Sequence, residues 1–402
     1  MPIVTTTHII PLAKLQDGDL AHYEALRTAI PEFDSPYFSS QFIAAAKHIV
    51  PHGYLAKFMN SKRCVGYFAF QQRGKVLQPL ASPVSDYHGA VMERGYYPDW
   101  VALLEAAKAK RFEFFGLMGP GAAGCGFEAH TRKISKVLHG FDAWEAEQKN
   151  VSKKYFRNIG RCKRNLEADF NGLKYEFKEV DDRTLDWVMN QKNIQYARTG
   201  CHDVFHCGWT RQMVSALRQE TRPDYGLRVG LLRHQDTILA AELCLIDKHS
   251  LHFWFPAYDP QFARYSPGAV LTYEIIRNES AAGFQMFDFG SGDEAYKSDM
   301  TTADSVCFDG HINRPLEVPQ PLRPAFALLR SFMRRLRVIR ACEVTREGQF
   351  QAALSLGKRA YDRLRASTHD VMARIKAKRA ADAGQPQATK VVVATTTRDP
   401  AI

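Results

Sequence analysis

The feature that most constrains the fold of this chain is an internal repeat. The stretches YLAKFMNSKRCVGYFAFQQRGKVLQPLASPVSDYHG (54–89) and YGLRVGLLRHQDTILAAELCLIDKHSLHFWFPAYDP (225–260) share one rhythm. In each, three runs of β-branched and aromatic residues are separated by polar turn residues, the pattern of three successive strands. The first continues into PDWVALLEAAKAKRFEFFGLMGPG (98–121), where Leu103, Leu104 and Ala107 take the core spacing of a helix ahead of a short strand over 112–117. The second continues into SPGAVLTYEIIRNESAAGFQMFDFGSGD (266–293), with Leu271, Ile275 and Ala282 on one helix face before a strand over 284–289. Gly66 aligns with Ala240 and Phe112 with Phe284, offsets of 174 and 172 residues, so four elements recur at nearly constant distance. In this alignment Asp288 falls opposite Gly116, which leaves the first copy without the acid. The fold expected is α/β (α+β): two tandem units, each a mixed sheet flanked by helices, followed by C-terminal helices.

Between the copies, VSKKYFRNIGRCKRNLEADFNG (151–172) reads as a basic helix stopped by Asn-Gly. A strand, LKYEFKEV, and a helix ended by Gly200 come next. The divisions expected are 1–150 for a first unit without activity of its own, 151–320 for the active unit, 321–382 for a basic helical extension and 383–402 for a disordered tail. The eight cysteines are scattered, as suits reduced thiols. No apolar run reaches the 18 residues of a membrane span, and the N-terminus lacks the features of a secretory signal. A cytoplasmic location is expected. The formal net charge of +11 favours anionic partners, and much of it lies in 152–166 and in the region after Pro324. CHDVFHC (201–207) crowds two thiols and two imidazoles together, but the spacing fits no tetrahedral zinc site, so no metal is expected.

The order of elements, with AYDPQFARYSPGAVLTYEIIRNESAAGFQMFDFGSGDEAYK (257–297), resembles the CelD/BcsL branch of GNAT-fold acyltransferases, tandem units similar to the Fem-type peptidyl transferases. SDY (85–87) supports the likeness weakly. The resemblance covers roughly residues 50–310 and implies transfer of an acyl group, acetyl-CoA or another acyl-CoA being the donor, to an amine or hydroxyl acceptor. That acceptor would be a small molecule or glycan such as a sugar or amino sugar, in polysaccharide biosynthesis. A Fem-like reading would instead have Lys153 to Arg164 hold the phosphates of an aminoacyl-tRNA. A third reading is a scaffold without catalysis, whose basic C-terminal helices touch a synthase complex or the membrane periphery.

Site residues follow from that likeness. Arg264, Tyr265, Ser266 and Gly268 precede or open a helix whose N-terminus suits a pyrophosphate, with Ser266 as N-cap and Pro267 at the first helical position. This segment keeps only the first residue and one glycine of the usual phosphate loop. Asp288, in an otherwise apolar strand, is either the catalytic base or a structural acid, and Glu242 is either a second base or a solvated strand residue. Tyr296 is the expected proton donor to the leaving thiolate. Lys297 would hold an anionic acceptor or polarise the carbonyl, or is a solvated lysine or pairs with Asp293. Trp254, Tyr258, Asp86 and Tyr87 are the expected acceptor pocket, the aromatic pair being alternatively core residues and Asp86 a turn cap. The expected cleft lies in the C-terminal half, with Asp288 open to it.

Overall fold

The computed structural model describes residues 4–122, 127–220, 222–291, 295–314 and 327–359. Residues 1–352 form one compact unit, and of the second, 353–402, the described residues 353–359 are helical. In the first half the strands are β1 (Thr6–Pro11), β2 (Gly53–Asn60), β3 (Arg63–Arg73), β4 (Val76–Pro79), β5 (Val91–Met92), β6 (Arg111–Leu117) and β7 (Glu128–Lys136). Its helices are α1 (Asp17–Thr28), α2 (Ser40–Ala46) and α3 (Trp100–Ala106), and α4 (Phe141–Val151) and α5 (Lys153–Asp169) lead on. The second half contains β8 (Leu173–Glu179), α6 (Asp182–Thr199), α7 (Trp209–Gln219), β9 (Tyr225–His234), β10 (Thr237–Asp247) and β11 (Ser250–Tyr258). It continues with α8 (Pro267–Ala281), β12 (Met286–Ser291), α9 (Ala295–Met300), β13 (Ala303–Asn313) and α10 (Ala327–Cys342).

The two copies share a single 13-stranded sheet, ordered β1-β2-β3-β4-β6-β13-β7-β12-β11-β10-β9-β8, with β5 pairing β3 off this path. Read from either end, the order is the same once β1 is matched with β8, β2 with β9, and so on to the centre. There the last strands have changed places. β13 pairs β6 of the first half, β7 pairs β12 of the second, and the two pair each other antiparallel. The exchange explains why the halves form one unit: neither copy's sheet is complete without a strand from the other.

Ladder register corrects one alignment made from sequence. Leu77 pairs Phe112 in parallel, and Leu251 pairs Phe287 in the same way. The structural equivalent of Phe287 is therefore Phe112, and that of Asp288 is Glu113 rather than Gly116. Alternation agrees: Phe112 and Phe114 are core residues of one half, Phe287 and Phe289 of the other, so Glu113 and Asp288 both point to the opposite face. The first half has its acid after all.

Local signals account for the helices around the site. Asp181 caps α6 by accepting the Thr184 N–H at 2.7 Å, and Gly200 ends it in the left-handed conformation at φ 60°. On α5, Phe156, Ile159, Cys162 and Leu166 make a narrow buried stripe on an otherwise polar helix. That stripe packs against α8 and the second-half sheet face bearing Phe287 and Phe289, while α6 and α7 cover the face bearing Leu243 and Leu245.

Candidate active site

Strands β11 and β12 pair only over Ser250–His252 and Met286–Asp288 and then part. Beyond His252, β11 has an edge free of β12, and a cavity of about 520 Å³ opens there. Its walls are one face of α5 (Tyr155, Asn158), one face of α6 (Gln191, Gln195), the edge residues Pro256–Tyr258, and the start of α8 at Ser266 and Gly268. Glu242, on β10 directly opposite Pro256, forms part of its lining.

Glu242 is the chemically distinctive group of this cavity. Its residue is 4% exposed, and its Oε1 is buried without a hydrogen-bond partner among the described residues. Burial pushes its pKa up to about 8, against the pull of Lys192, His252 and Lys297. A carboxyl at that value exchanges protons near neutrality, as a general base must.

The start of α8 is the second. Pro267 occupies the first helical position as expected, but Ser266 does not cap: its backbone is left-handed, φ 49°, and its hydroxyl makes no capping bond. No acid lies in the first turn, so the N–H groups there are unclaimed by any side-chain cap. A Cβ built on Gly268 would meet nothing within 4 Å. The result is an open helix N-terminus facing a cavity, suited to an anion.

At the equivalent place the first half is filled. Phe68 pairs Ala56 as Glu242 pairs Gly230, so Phe68 stands where the second half has its acid. Its ring meets Trp100, the first residue of α3, edge to face at 5.0 Å. Asp99 caps α3 with its own carboxylate, which accepts the N–H groups of Val101 and Ala102.

Asp288 is not open to the cavity. It is 1% exposed and accepts from Arg132 Nε at 2.8 Å, Tyr87 Oη at 3.2 Å and the Gly290 N–H at 2.9 Å. His252 Nδ1 stands 3.4 Å away. Burial alone would raise its pKa, but Arg132 and His252 outweigh burial and hold the carboxyl well below the usual carboxylate range. Such a group is permanently ionised and already paired, which corrects the expectation of a solvent-facing base. The pairs continue outward: Arg132 Nη1 reaches Asp34 at 2.7 Å, and His252 Nε2 reaches Asp86 Oδ2 at 2.9 Å.

Other expected residues separate in the same way. Tyr258 and Glu242 do line the cavity, with Ser266 and Gly268. Trp254 is a core residue packed edge to face on Tyr37, and Tyr87 lies under the Arg132 guanidinium, so neither reaches the cavity. Asp86 serves His252. Arg264 turns to Asp169 and to the Tyr265 hydroxyl, which itself bonds Asp169, so both belong to a helix-to-loop tie rather than to the cavity wall. Lys297 is buried on α9, close enough to act on Glu242. The side chain of Tyr296, and Asp293, lie outside the described residues. Lys192 was missed from sequence: it is buried, donates to the Pro256 carbonyl at 3.3 Å and lies 6.0 Å from the Phe255 ring centroid. Its place in the α6 stripe Leu185, Val188, Met189, Lys192 was the available signal.

His252 gives a prediction on stability. Burial works against the charged imidazole, but Asp288 and Asp86 overcome it and push its pKa up to about 9 from an ordinary 6.5. The resulting stability is complete below about pH 6.5 and is lost as pH rises through about 9. Urea midpoints should fall over that window for the wild type and fall less for His252→Gln. Parallel curves would show that His252 is not charged in the fold.

Residues 153–298 match the family model described as an acetyltransferase (GNAT) domain. No curated protein matches the chain in sequence. Among solved structures, FemX is similar at 11% identity and TM-score 0.47, over 77% of this chain and 97% of that one. A tandem GNAT protein from the clavulanic acid biosynthesis pathway is similar at 9% identity and TM-score 0.46, over 78% and 100%. L-PGS from Bacillus licheniformis is similar at 8% identity and TM-score 0.36, over 84% and 88%. The segment that matches the acetyltransferase (GNAT) domain runs from α5 into α9 and holds every wall of the cavity and Glu242.

Proposed function

We propose that this protein is an acyl-CoA-dependent acyltransferase whose reaction takes place in the second-half cavity, with Glu242 as general base. The observation that carries this reading is the presence, in one cavity, of a buried carboxyl whose Oε1 has no hydrogen-bond partner among the described residues and a helix N-terminus without a side-chain cap. The unclaimed N–H groups at the start of α8 suit the diphosphate of the donor, and the free β11 edge offers backbone groups to an extended pantetheine arm. Glu242 takes the proton from the acceptor's nitrogen or oxygen as that atom bonds to the thioester carbon; the C–S bond breaks and the thiolate leaves. The α6 wall presents the amides of Gln191 and Gln195, and the rim carries Tyr258. Planar amides and an aromatic face suit a hydroxyl-rich acceptor, a sugar or amino sugar. This is the acceptor class expected from the CelD/BcsL resemblance, and it points to exopolysaccharide or cell-envelope glycans. The first half, with Phe68 and Trp100 in the equivalent space, takes the role of a support that completes the sheet.

Gly268→Leu tests the donor site. Nothing lies within 4 Å of a Cβ added at Gly268, and the larger side chain is meant to occupy space beside the open helix N-terminus. Isothermal titration should show acetyl-CoA binding weakened about tenfold or more with an unchanged melting temperature. Equal affinity for the two proteins would end the reading.

A further inference from the structure

Helix α5 carries six cations, of which five, Lys153, Lys154, Arg157, Arg161 and Arg164, are exposed. Lys163, by contrast, is tied to Glu274 at 2.6 Å. Among the described residues none of the five has an acid partner, and α5 contains no acid before Glu167. The strip borders the cavity. Asn158 is one of the cavity's wall residues, and Arg161 Nη2 donates to Asn158 Oδ1 at 2.8 Å, which holds that guanidinium at the rim. One turn earlier, Lys154 and Arg157 flank the same asparagine, so the three cations span about 10 Å along the rim. Arg264, the guanidinium expected for phosphate binding, is turned to Asp169 at 3.5 Å.

We infer that the Lys154–Arg157–Arg161 strip is a phosphomonoester site for the nucleotide end of the donor, one that selects CoA over its 3′-dephospho form. The inference rests on the donor reading above. The physical case is that these guanidinium and ammonium groups are exposed, claimed by no acid among the described residues, and so repel one another until an anion is bound. The ligand that would order them carries a concentrated negative charge, in reach of a diphosphate seated at the start of α8. A ribose 3′-phosphate supplies two charges and three acceptor oxygens at the far end of such a molecule, where a guanidinium binds it by paired hydrogen bonds. The uncapped helix end and the strip would then hold two separate phosphate groups of one ligand.

The experiment is titration of the full chain with CoA and with 3′-dephospho-CoA, for the wild type and for Arg157→Gln/Arg161→Gln, each at low and moderate salt. Both substitutions are at exposed positions without tertiary partners, and the melting temperature confirms folding. The wild type should prefer CoA about tenfold, with a preference that shrinks as salt rises. The double variant should lose most of that preference while binding dephospho-CoA within about twofold of wild type. If CoA binds and the variant keeps the wild-type preference, the inference fails while the donor reading stands. If neither ligand binds the wild type, both fail together. A labelled tRNA retained by the wild type and released by the double variant, with no difference between the two CoA forms, would assign the strip to nucleic acid and overturn the inference.

Discussion

Glutamine in place of Glu242 should lower kcat by ~10²- to 10⁴-fold while the protein stays folded, the usual cost of losing a positioned base. The wild-type profile of kcat/KM should rise through about pH 8, because the base works only when ionised and burial holds it protonated below that. The Gln variant should have no such limb. Stability moves the other way. Glu242 has a folded pKa above its unfolded one, so its contribution favours the folded state in acid and declines as pH rises from about 4.5 through about 8. Glutamine has no charge to bury and removes that decline, so the variant should resist urea at pH 9 at least as well as wild type. A drop in turnover combined with equal or greater stability separates lost chemistry from lost fold. Activity within about threefold of wild type would remove Glu242 from the reaction.

Sequence made the repeat legible because strand alternation and helix spacing are local signals, and the three-strand runs at 54–89 and 225–260 carry them plainly. The exchanged strands were not legible. EAHTRKISK and ADSVCFDGHIN hold few apolar residues and are mostly exposed or half-buried, held by their ladders to neighbouring strands, and no local pattern announces that β13 will lie beside β6. Missing β7 meant missing Arg132, and without Arg132 a carboxylate in a Phe-Asp-Phe strand reads as poised for chemistry. The register error had a related cause. Gly116 aligns with Gly290, 174 residues on, both left-handed at φ 61° and 78°, and the extra residue between strand and glycine in the first half hid the match of Phe-Glu-Phe to Phe-Asp-Phe. Glu242 was legible as a candidate because AAELCL breaks an apolar strand. Its distinction from Asp288 was not, because it depends on what each acid meets: a cation at 2.8 Å for Asp288 and, for the Glu242 Oε1, no hydrogen-bond partner among the described residues.

The symmetry of the two acids makes Asp288→Ala the sharpest test of the fold. Glu113, its equivalent, is also buried and held by arginines, Arg340 at 2.6 Å and Arg111 at 3.1 Å. In both halves the acid of the central strand thus anchors cations on the face opposite the Phe112/Phe114 and Phe287/Phe289 side chains, a structural duty common to the half with the cavity and the filled one. Removing the Asp288 carboxylate leaves Arg132, 1% exposed, with Asp34 as its one remaining acid among the described residues, where its Nη2 already has no hydrogen-bond partner. It also takes from His252 the stronger of two anions and from Tyr87 its acceptor. Stranding a buried cation in this way should cost about 3–5 kcal/mol in urea unfolding at pH 7, far more than the removal of an exposed pair. Because the cost arises from the uncompensated charge, Asp288→Leu combined with Arg132→Met should recover a large part of it, and the double variant should be more stable than Asp288→Ala alone. Asp34, freed of Arg132, is one-third exposed and can turn to water. A loss below about 1 kcal/mol for Asp288→Ala would mean that the network contributes nothing to the junction of the halves. A large loss of turnover in Asp288→Asn without loss of stability would return the acid to the chemistry and displace Glu242 as the base.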